Sequence, residues 1–317
     1  MSYYTHLISQ DSLRVATSAI LRLIVYPKRY AFRNSALSGI LKYNINSYYI
    51  MKIIDCFIFY NELDLLTYRL NLLNDIVDYF VIVEATHTFI GKEKPLFFNE
   101  NKHLFENFSN KIIHIIVNDF PSKYSNVNIP NNNVWKNEHF QRNAISRGIN
   151  YIKDLSQSDL IIISDCDEIP DPRTLDKIKK GDIIVDIKIL EMDLYYYNLN
   201  TRHRNKWPGC KIISYEKYNK LNKTCNDIRY IECSRILNGG WHLSYFGDNM
   251  FIQNKIQNFS HQEYNNDIYT DLEKIENRVK ASSDAFDRHN SILDKIRIED
   301  NKYLPIDYNK FLNKYYN

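Results

Sequence analysis

The sequence is poor in the residues that build several common kinds of binding site. Its 317 residues include only 8 glycines and contain neither GxGxxG nor GxxxxGK(S/T), which argues against a glycine-rich phosphate loop. The 5 cysteines form no CxxC pair, so a zinc cluster is not predicted. The 41 Lys and Arg nearly balance the 38 Asp and Glu, and a chain without a basic stripe is not expected to bind nucleic acid.

Long apolar runs are also missing. No run reaches the roughly 18 residues that indicate a membrane span. Residues 15–26 are the best apolar candidate near the N-terminus, but this segment is short and carries Arg22. The basic residues around it leave two interpretations of residues 13–35. One is membrane association, as a surface helix or a degenerate signal anchor; the other, which we favour, is an ordinary packing helix.

Strand-like and helical patterns alternate from residue 52 onward. Apolar runs predict buried strands at residues 52–60, 79–85, 110–118 and 159–165, and further strand regions at 181–200 and 238–248. Apolar residues at helical spacing predict helices at residues 61–76, 135–152 and 271–286, with a polar loop at 122–134. The alternation indicates an α/β fold with a mixed, mainly parallel central sheet whose strands are buried on both faces.

The same patterns divide the chain into three parts. We expect an N-terminal leader over residues 1–50, partly helical, and a main α/β domain over residues 51–270. The remaining residues, 271–317, are expected to form a C-terminal helical extension that packs on the main domain.

The stretch LIIISDCDEIPDP, residues 160–172, joins a predicted buried strand to several carboxylates. Ligands of open α/β sheets bind beyond the carboxyl ends of the strands, where these acidic residues lie. Carboxylates at positions i and i+2 of an extended segment point to the same side. Asp165 and Asp167 are therefore expected to converge on one Mg²⁺ or Mn²⁺, with Cys166 directed away. The alternative is a solvated acidic loop in which Asp171 caps a following helix.

Five blocks of the sequence resemble glycosyltransferase family 17. They are DCFIFYNELDLLTYRLNLLNDIVDYFVIVEATHTFIGKEKPLFF, WKNEHFQRNAI, SDCDEIPDP, MDLYYYNLN and GGWHLSYFGD, and the similarity runs from about residue 55 to about residue 264. The resemblance implies a GT-A-like, Rossmann-type nucleotide-sugar-binding fold in the main domain. It also implies metal-assisted, inverting transfer of a sugar from a UDP-sugar to a glycan or glycoprotein acceptor. The family's known activity transfers N-acetylglucosamine onto mannose.

The resemblance also implies roles for particular residues. Asp165 and Asp167 match the family's DxD motif and are implied to hold the metal on the donor diphosphate, with His261 or His242 as a further ligand. Asn61 and Glu62 match the Asn-Glu pair after the first strand, at the nucleotide end, where Asn61 alternatively caps a helix. Further donor contacts are expected at Glu84, at Lys94 and at Arg142, whose alternative role is to organise the acidic loop.

An inverting transfer requires one base near the acceptor hydroxyl. Asp248 is the first choice, because it follows the aromatic segment WHLSYFG well downstream of the DxD motif, where the resemblance to GT-A enzymes implies a base. Glu263, Glu191 and Asp193 are the alternatives.

Two other function classes compete with this interpretation. A nucleotide-sugar- or carbohydrate-binding protein without turnover would be expected to lose part of the acidic set, which is intact here. A metal-dependent phosphohydrolase would require a second His and Asp cluster, which the sequence does not show. Without a clear transmembrane anchor, a cytoplasmic location in a microbe or a virus-infected host cell is favoured over the Golgi lumen.

Overall fold

The first four strands form the parallel half of a ten-stranded sheet. The computed structural model describes residues 51–122 and 131–316, within a compact unit over 51–317. The strands are β1 (Ile53–Phe59), β2 (Tyr79–Ala85), β3 (Ile112–Val117) and β4 (Leu160–Asp165), in the spatial order β3-β2-β1-β4. All neighbours in this half run parallel. The expectations for residues 1–50, and for most of the loop at 122–134, lie outside the described residues.

The burial of these strands explains why they could be predicted from the sequence. Every residue of β1 is buried, and so are all residues of β2 after Tyr79. A parallel strand covered by helices on both faces has no solvent side, so its sequence is a continuous apolar run rather than an alternation. The expected Rossmann-like mixed α/β fold is confirmed.

The other half of the sheet is mainly antiparallel. Its strands are β5 (Glu168–Pro170), β6 (Ile187–Tyr196), β7 (Thr201–His203), β8 (Lys211–Ser214), β9 (Arg235–Ser244) and β10 (Leu293–Lys295). Strand β8 joins the halves by pairing antiparallel with both β4 and β6. Strand β9 runs parallel to β6 and antiparallel to the short β5, which follows the acidic loop.

Helices cover the sheet on both faces. They are α1 (Leu63–Leu73), α2 (Phe97–Glu100), α3 (Asn131–Asn143), α4 (Ile145–Tyr151), α5 (Pro172–Lys179), α6 (Tyr215–Leu221), α7 (Cys225–Arg229), α8 (Asn249–Asn258), α9 (Asp267–Thr270), α10 (Leu272–Ala281) and α11 (Tyr308–Phe311). Short 3-10 turns lie at Lys102–Phe108, Gln262–Tyr264, Ile298–Asp300 and Asn313–Tyr315. Among the described residues, no helix is long and apolar enough to span a membrane.

The helix predicted at residues 135–152 is divided in the structure. Helix α3 ends at Asn143 and α4 begins at Ile145, because the backbone tightens at Ala144, whose N–H donates to the carbonyl of Gln141 as well as that of Phe140. The break lets α4 lie close against the sheet. A Cβ at Gly148 would stand 2.3 Å from a methyl carbon of Val81, so no larger residue fits there without movement.

The C-terminal residues belong to the same packed structure as the sheet. Strand β10 pairs antiparallel with β7 at one edge. Leu312 and Tyr315 pack in a core cluster with Tyr68 of α1 and Trp241 of β9. The helix predicted at residues 271–286 is shorter in the structure, where α10 ends at Ala281.

Candidate active site

The acidic loop, residues 165–168, follows β4 as the sequence predicts. Strand β4 is buried up to Ser164, whereas the Asp165 side chain is 28% exposed. Cys166 packs in the apolar core, so its side chain is directed away from the carboxylates, as expected. Asp171 does cap α5, accepting the N–H of Arg173 at 2.9 Å, but the loop before it is not a solvated one, because Asp167 and Glu168 are buried.

Arg69 of α1 fixes the shape of this loop from below. Its guanidinium is fully buried and donates to the backbone carbonyls of Asp165, Cys166 and Glu168 at 2.8 to 3.1 Å. It also donates to both carboxylate oxygens of Asp55 on β1, which supplies the compensating charge. Sequence reasoning missed this residue. The available signal was an arginine among the inward-facing apolar positions of α1.

Two further arginines hold Asp165. Nη2 of Arg142 stands 3.1 Å from Oδ1 of Asp165, and Nη2 of Arg229 stands 3.0 Å from Oδ2. Burial alone raises the pKa of Asp165, but these two charges outweigh it and lower that pKa. Arg142 therefore organises the acidic loop, which is one of its two expected roles. Glu168 pairs with Arg229 at 2.6 Å and accepts from the Trp207 indole.

Asp167 is held by a different pair. Nζ of Lys255, on α8, stands 2.8 Å from its Oδ2, and Nε2 of His242, on β9, stands 3.5 Å from its Oδ1. Burial raises the pKa of Asp167, and the opposing effects of Lys255 and His242 bring it well below its ordinary value. Lys255 also stands 3.6 Å from Oε1 of Glu62.

These ion pairs form two neighbouring groups, one around Asp165 and one around Asp167, which together we call the acidic network and which have an excess of negative charge. The carboxylates of the network are Glu62, Glu138, Asp165, Asp167 and Glu168, and its cations are Arg142, Arg229 and Lys255. Five carboxylates against three Lys and Arg side chains give a formal net charge of −2 in which histidines are not counted, and the Arg69–Asp55 pair does not change this count. An uncompensated buried charge is costly, so the network favours a further cation.

The residues of the network fit a divalent cation in chemistry and in charge. Carboxylate oxygens are the ligands of Mg²⁺ and Mn²⁺, and a charge of +2 would balance the excess. Within residues 51–122 and 131–316, no three His, Cys, Asp or Glu side chains form a ready ligand set. Mg²⁺ commonly takes only one or two protein carboxylates, with substrate phosphates completing its shell.

A cavity of about 330 Å³ opens beside the acidic loop. At the end near β1 and β2 it is lined by Tyr60, Thr88, Lys94 and Gln141. The hydroxyl of Thr88 is buried and has no hydrogen-bond partner among the described residues. The Lys94 side chain is only 5% exposed, and burial lowers its pKa. Lys94 is therefore a buried lysine rather than a solvated one at the surface.

Another part of the cavity lining is aromatic. This part, which we call the aromatic wall, consists of Tyr196, Tyr245, Phe259, Tyr264 and Phe286. The rings of Tyr264 and Phe286 are stacked with centroids 3.9 Å apart. Arg288 donates to the Tyr196 hydroxyl at 2.8 Å and pairs with Asp284, which anchors the wall.

The structure brings most of the predicted site residues to this cavity. Those that line it are Glu62, Lys94, Arg142, Asp165, Asp167, His242 and His261. Tyr60, Thr88, Glu138, Arg229 and Lys255 also line it and were missed by sequence reasoning. Tyr60, Thr88 and Glu138 lie within the blocks that resemble the family, but no spacing singled them out there, and Arg229 and Lys255 lie outside those blocks.

Six of the candidate residues are not among those that line the cavity. Of the alternative bases, Glu191 pairs with Arg235 and Asp193 pairs with Lys206. Glu84 turns toward α2, where it accepts the N–H of Phe98 at 2.9 Å. The carboxylate of Asp248 caps α8 by accepting the Phe251 N–H at 2.8 Å. Glu263 is exposed and reaches the cavity only through His261, whose Nδ1 stands 2.7 Å from its Oε1. Asn61 does not cap α1, which starts after Glu62, and its side-chain oxygen has no partner among the described residues.

The fold and the site together define a class. A Rossmann-like sheet with an acidic loop at the carboxyl ends of its parallel strands, beside a cavity, is consistent with the fold of nucleotide-sugar-dependent glycosyltransferases. The sequence model of glycosyltransferase family 17 matches residues 28–291. The chain therefore belongs to glycosyltransferase family 17.

Mammalian relatives share part of the sequence. The beta-1,4-mannosyl-glycoprotein 4-beta-N-acetylglucosaminyltransferases of Homo sapiens and Rattus norvegicus are each 31% identical to this chain over 113 residues. The Mus musculus enzyme is 30% identical over the same length. The similarity covers 35% of this chain and 20% of each relative, so the chain spans much less than the whole length of the relatives it matches.

Proposed function

We propose that the protein transfers N-acetylglucosamine from UDP-N-acetylglucosamine to a hydroxyl group of a glycan, with the help of Mn²⁺ or Mg²⁺ and with inversion at the anomeric carbon. The observation that carries the proposal is the acidic loop beside the cavity. Two carboxylates there belong to a network of net charge −2 and face a space large enough for part of a nucleotide sugar. The names of the mammalian relatives support the sugar and the type of acceptor.

The donor diphosphate is proposed to lie over the acidic loop. Asp165 and Asp167 would hold the cation, with His242 or His261 as a further ligand. When bound, the cation neutralises the charge that develops on the leaving nucleotide diphosphate. The chain's own part is to orient these carboxylates, which Arg69, Arg142 and Arg229 do through the contacts described above.

The nucleoside is proposed to lie at the end of the cavity near β1 and β2. Lys94 and Arg142 line that region and supply positive charge for the phosphates, and the Thr88 hydroxyl is available for the base or the ribose. Glu62 acts there through Lys255. Glu84 stays a proposed donor-side residue that acts through the α2 N–H groups bound to its carboxylate, and Asn61 stays one through its position next to Glu62.

The acceptor is proposed to bind along the aromatic wall, because flat rings match the apolar faces of sugar rings. The base that removes the acceptor proton then belongs near that wall. Asp248 remains the prediction from sequence, although its carboxylate caps α8. Two carboxylates have better access: Glu138, which lines the cavity, and Glu263, which contacts the cavity-lining His261. The variants Asp248→Asn, Glu138→Gln and Glu263→Gln distinguish these assignments by their turnover rates.

The experiment uses the purified full chain with a panel of UDP-, GDP- and CMP-sugars, with Mn²⁺ and with EDTA. We expect metal-dependent UDP binding and slow release of UDP from UDP-N-acetylglucosamine, both lost in Asp167→Asn. Asp176→Asn, at an exposed ion pair with Lys180, is the matched control. Absence of nucleotide binding in the wild-type protein would refute the proposal. Binding without turnover, for every acceptor glycan tried, would instead support a nucleotide-sugar-binding protein without catalysis.

A further inference from the structure

One cation of the acidic network, Lys255, is supplied by helix α8. It reaches across the cavity edge to Asp167, with 2.8 Å between Nζ and Oδ2, and toward Glu62 at 3.6 Å. Its side chain is 19% exposed, and its Nζ lies 5.5 Å from the centre of the Tyr245 ring. The ammonium therefore occupies a position between two carboxylates, at an oxygen that a metal would use.

The other two cations of the network are held more firmly. Arg142 also donates to Asn226, and Arg229 donates to the carbonyl of Gly209 and to both oxygens of Glu168. Among the described residues, the one hydrogen bond recorded for the Lys255 ammonium goes to Asp167. A lysine ammonium is a point charge on a flexible stem, whereas the guanidinium is a planar fork with several fixed bonds. Lys255 is thus the cation of the network that can move.

A divalent cation and the Lys255 ammonium cannot share the same carboxylate oxygen, because like charges at such a distance repel strongly in a buried site. The excess of two negative charges still favours uptake of the ion by the network as a whole. An ion at Oδ2 of Asp167 must therefore displace Lys255 from that oxygen. The displaced ammonium then requires another anion within reach of its flexible stem, in the same cavity.

We propose that Lys255 is an exchangeable counter-cation: it neutralises Asp167 in the free protein, yields that carboxylate to the divalent cation, and then binds the diphosphate of the nucleotide. The inference rests on the proposed function, because it takes the nucleotide diphosphate as the arriving anion. It makes Lys255 a residue that opposes the metal and favours the donor. A residue with a merely structural role would not have these two opposite effects.

The first test measures Mn²⁺ binding without nucleotide, by the loss of the electron paramagnetic resonance signal of free Mn²⁺. Lys255→Met is expected to bind Mn²⁺ about tenfold more tightly than the wild type, because removing one partner of a buried ion pair leaves the other unpaired. Adding Asp167→Asn to Lys255→Met should abolish the gain. Lys280→Met, at an exposed pair with Glu276, is the control and should leave the affinity unchanged.

The second test measures UDP binding by calorimetry at saturating Mn²⁺. Here Lys255→Met is expected to bind UDP about tenfold more weakly, since a charge-assisted contact to the phosphate is lost. Lys255→Arg should retain most of the affinity, and Lys255→Gln replaces the methionine variant if the latter does not fold. Unchanged or weaker Mn²⁺ binding in Lys255→Met and Lys255→Gln would overturn the inference, as would unchanged UDP binding. A wild-type protein that takes up Mn²⁺ but binds no nucleotide would instead refute the proposed function.

Discussion

Arg69 and Asp55 form a fully buried, two-bonded ion pair beneath the acidic loop. Nε and Nη2 of the arginine stand 2.8 and 2.6 Å from the two carboxylate oxygens, and neither side chain is exposed. Nη1 donates to the carbonyls of the loop, and Nη2 also donates to the Ser164 hydroxyl. The pair therefore connects α1 and β1 to the backbone that presents Asp165 and Asp167.

The first prediction concerns this pair. Arg69→Met leaves Asp55 buried and unpaired and removes the donors to three carbonyls, so we expect a loss of about 3–5 kcal/mol of the free energy of unfolding in urea. Arg69→Lys keeps the charge but not the fork and should also weaken Mn²⁺ binding. The control, Arg147→Met, removes an exposed pair with Asp119 and should cost less than about 1 kcal/mol. A loss as small as that of the control would contradict the role of Arg69.

The second prediction concerns Thr88, whose buried hydroxyl has no partner in the described structure. Thr88→Val has nearly the same shape and removes the unsatisfied group. The free energy of unfolding should therefore rise by about 1–3 kcal/mol, which is measured as a higher melting temperature. If the hydroxyl serves the nucleotide, UDP affinity should fall by about fivefold in the same variant. Thr88→Ser should retain the affinity. Equal UDP binding by all three proteins would show that the hydroxyl does not contact the ligand.

The third prediction concerns the pH dependence of stability. Burial raises the pKa of Asp284, but hydrogen bonds from Arg288 and Ser291 and from backbone N–H groups outweigh it and lower that pKa. A carboxyl group whose folded pKa lies below its unfolded value of about 3.9 stabilises the protein fully above that pH. This stability is lost as the pH falls through the folded pKa.

Asp284→Asn should therefore cost about 1–3 kcal/mol at pH 7, and this difference from the wild type should shrink below about pH 4. Urea unfolding at several pH values measures it. A deficit that stays the same at pH 7 and pH 3 would show that the charge of Asp284 is not what stabilises the aromatic wall.

The fourth prediction compares two glycines. Gly240 has φ +146°, and a Cβ there would stand 2.1 Å from the carbonyl oxygen of Ile169 on β5. Gly181 has φ +81°, but nothing lies within 4 Å of its Cβ position. Gly181→Ala should cost about 1 kcal/mol. Gly240→Ala should cost at least about 3 kcal/mol, because steric overlap adds to the backbone strain. Similar melting temperatures for the two variants would contradict the close contact of β5 with β9.

The sequence predicted the parallel half of the sheet because its signal is local. The runs that became β1, β2 and β4 are apolar and β-branched, and burial on both faces requires such runs. The acidic loop was predictable for the same reason, since it ends one of these strands. The break between α3 and α4 was not, because no proline or glycine marks the tightened backbone at Ala144.

The residues that contact the carboxylates of the acidic loop were not predictable, because they lie far from the loop in the sequence. Lys255 meets Asp167 across 88 positions and Arg229 meets Asp165 across 64, and no spacing rule links such residues. Glu84 shows a second limit. Its place at the end of β2 was predicted, but the position alone did not reveal that its carboxylate accepts N–H groups of α2 rather than facing the cavity.

The register between β5 and β9 decides which side chains of β9 face the cavity. Glu168 lies opposite His242, and Ile169 lies opposite Trp241. Trp241 is wholly buried, whereas its neighbour His242 lines the cavity, as alternate positions of a strand must face opposite ways. A single-residue insertion or deletion between Gly240 and His242 would exchange the imidazole for the indole. Variation in chain length is therefore compatible with this site only in steps of two along β9, or in the loops beyond it.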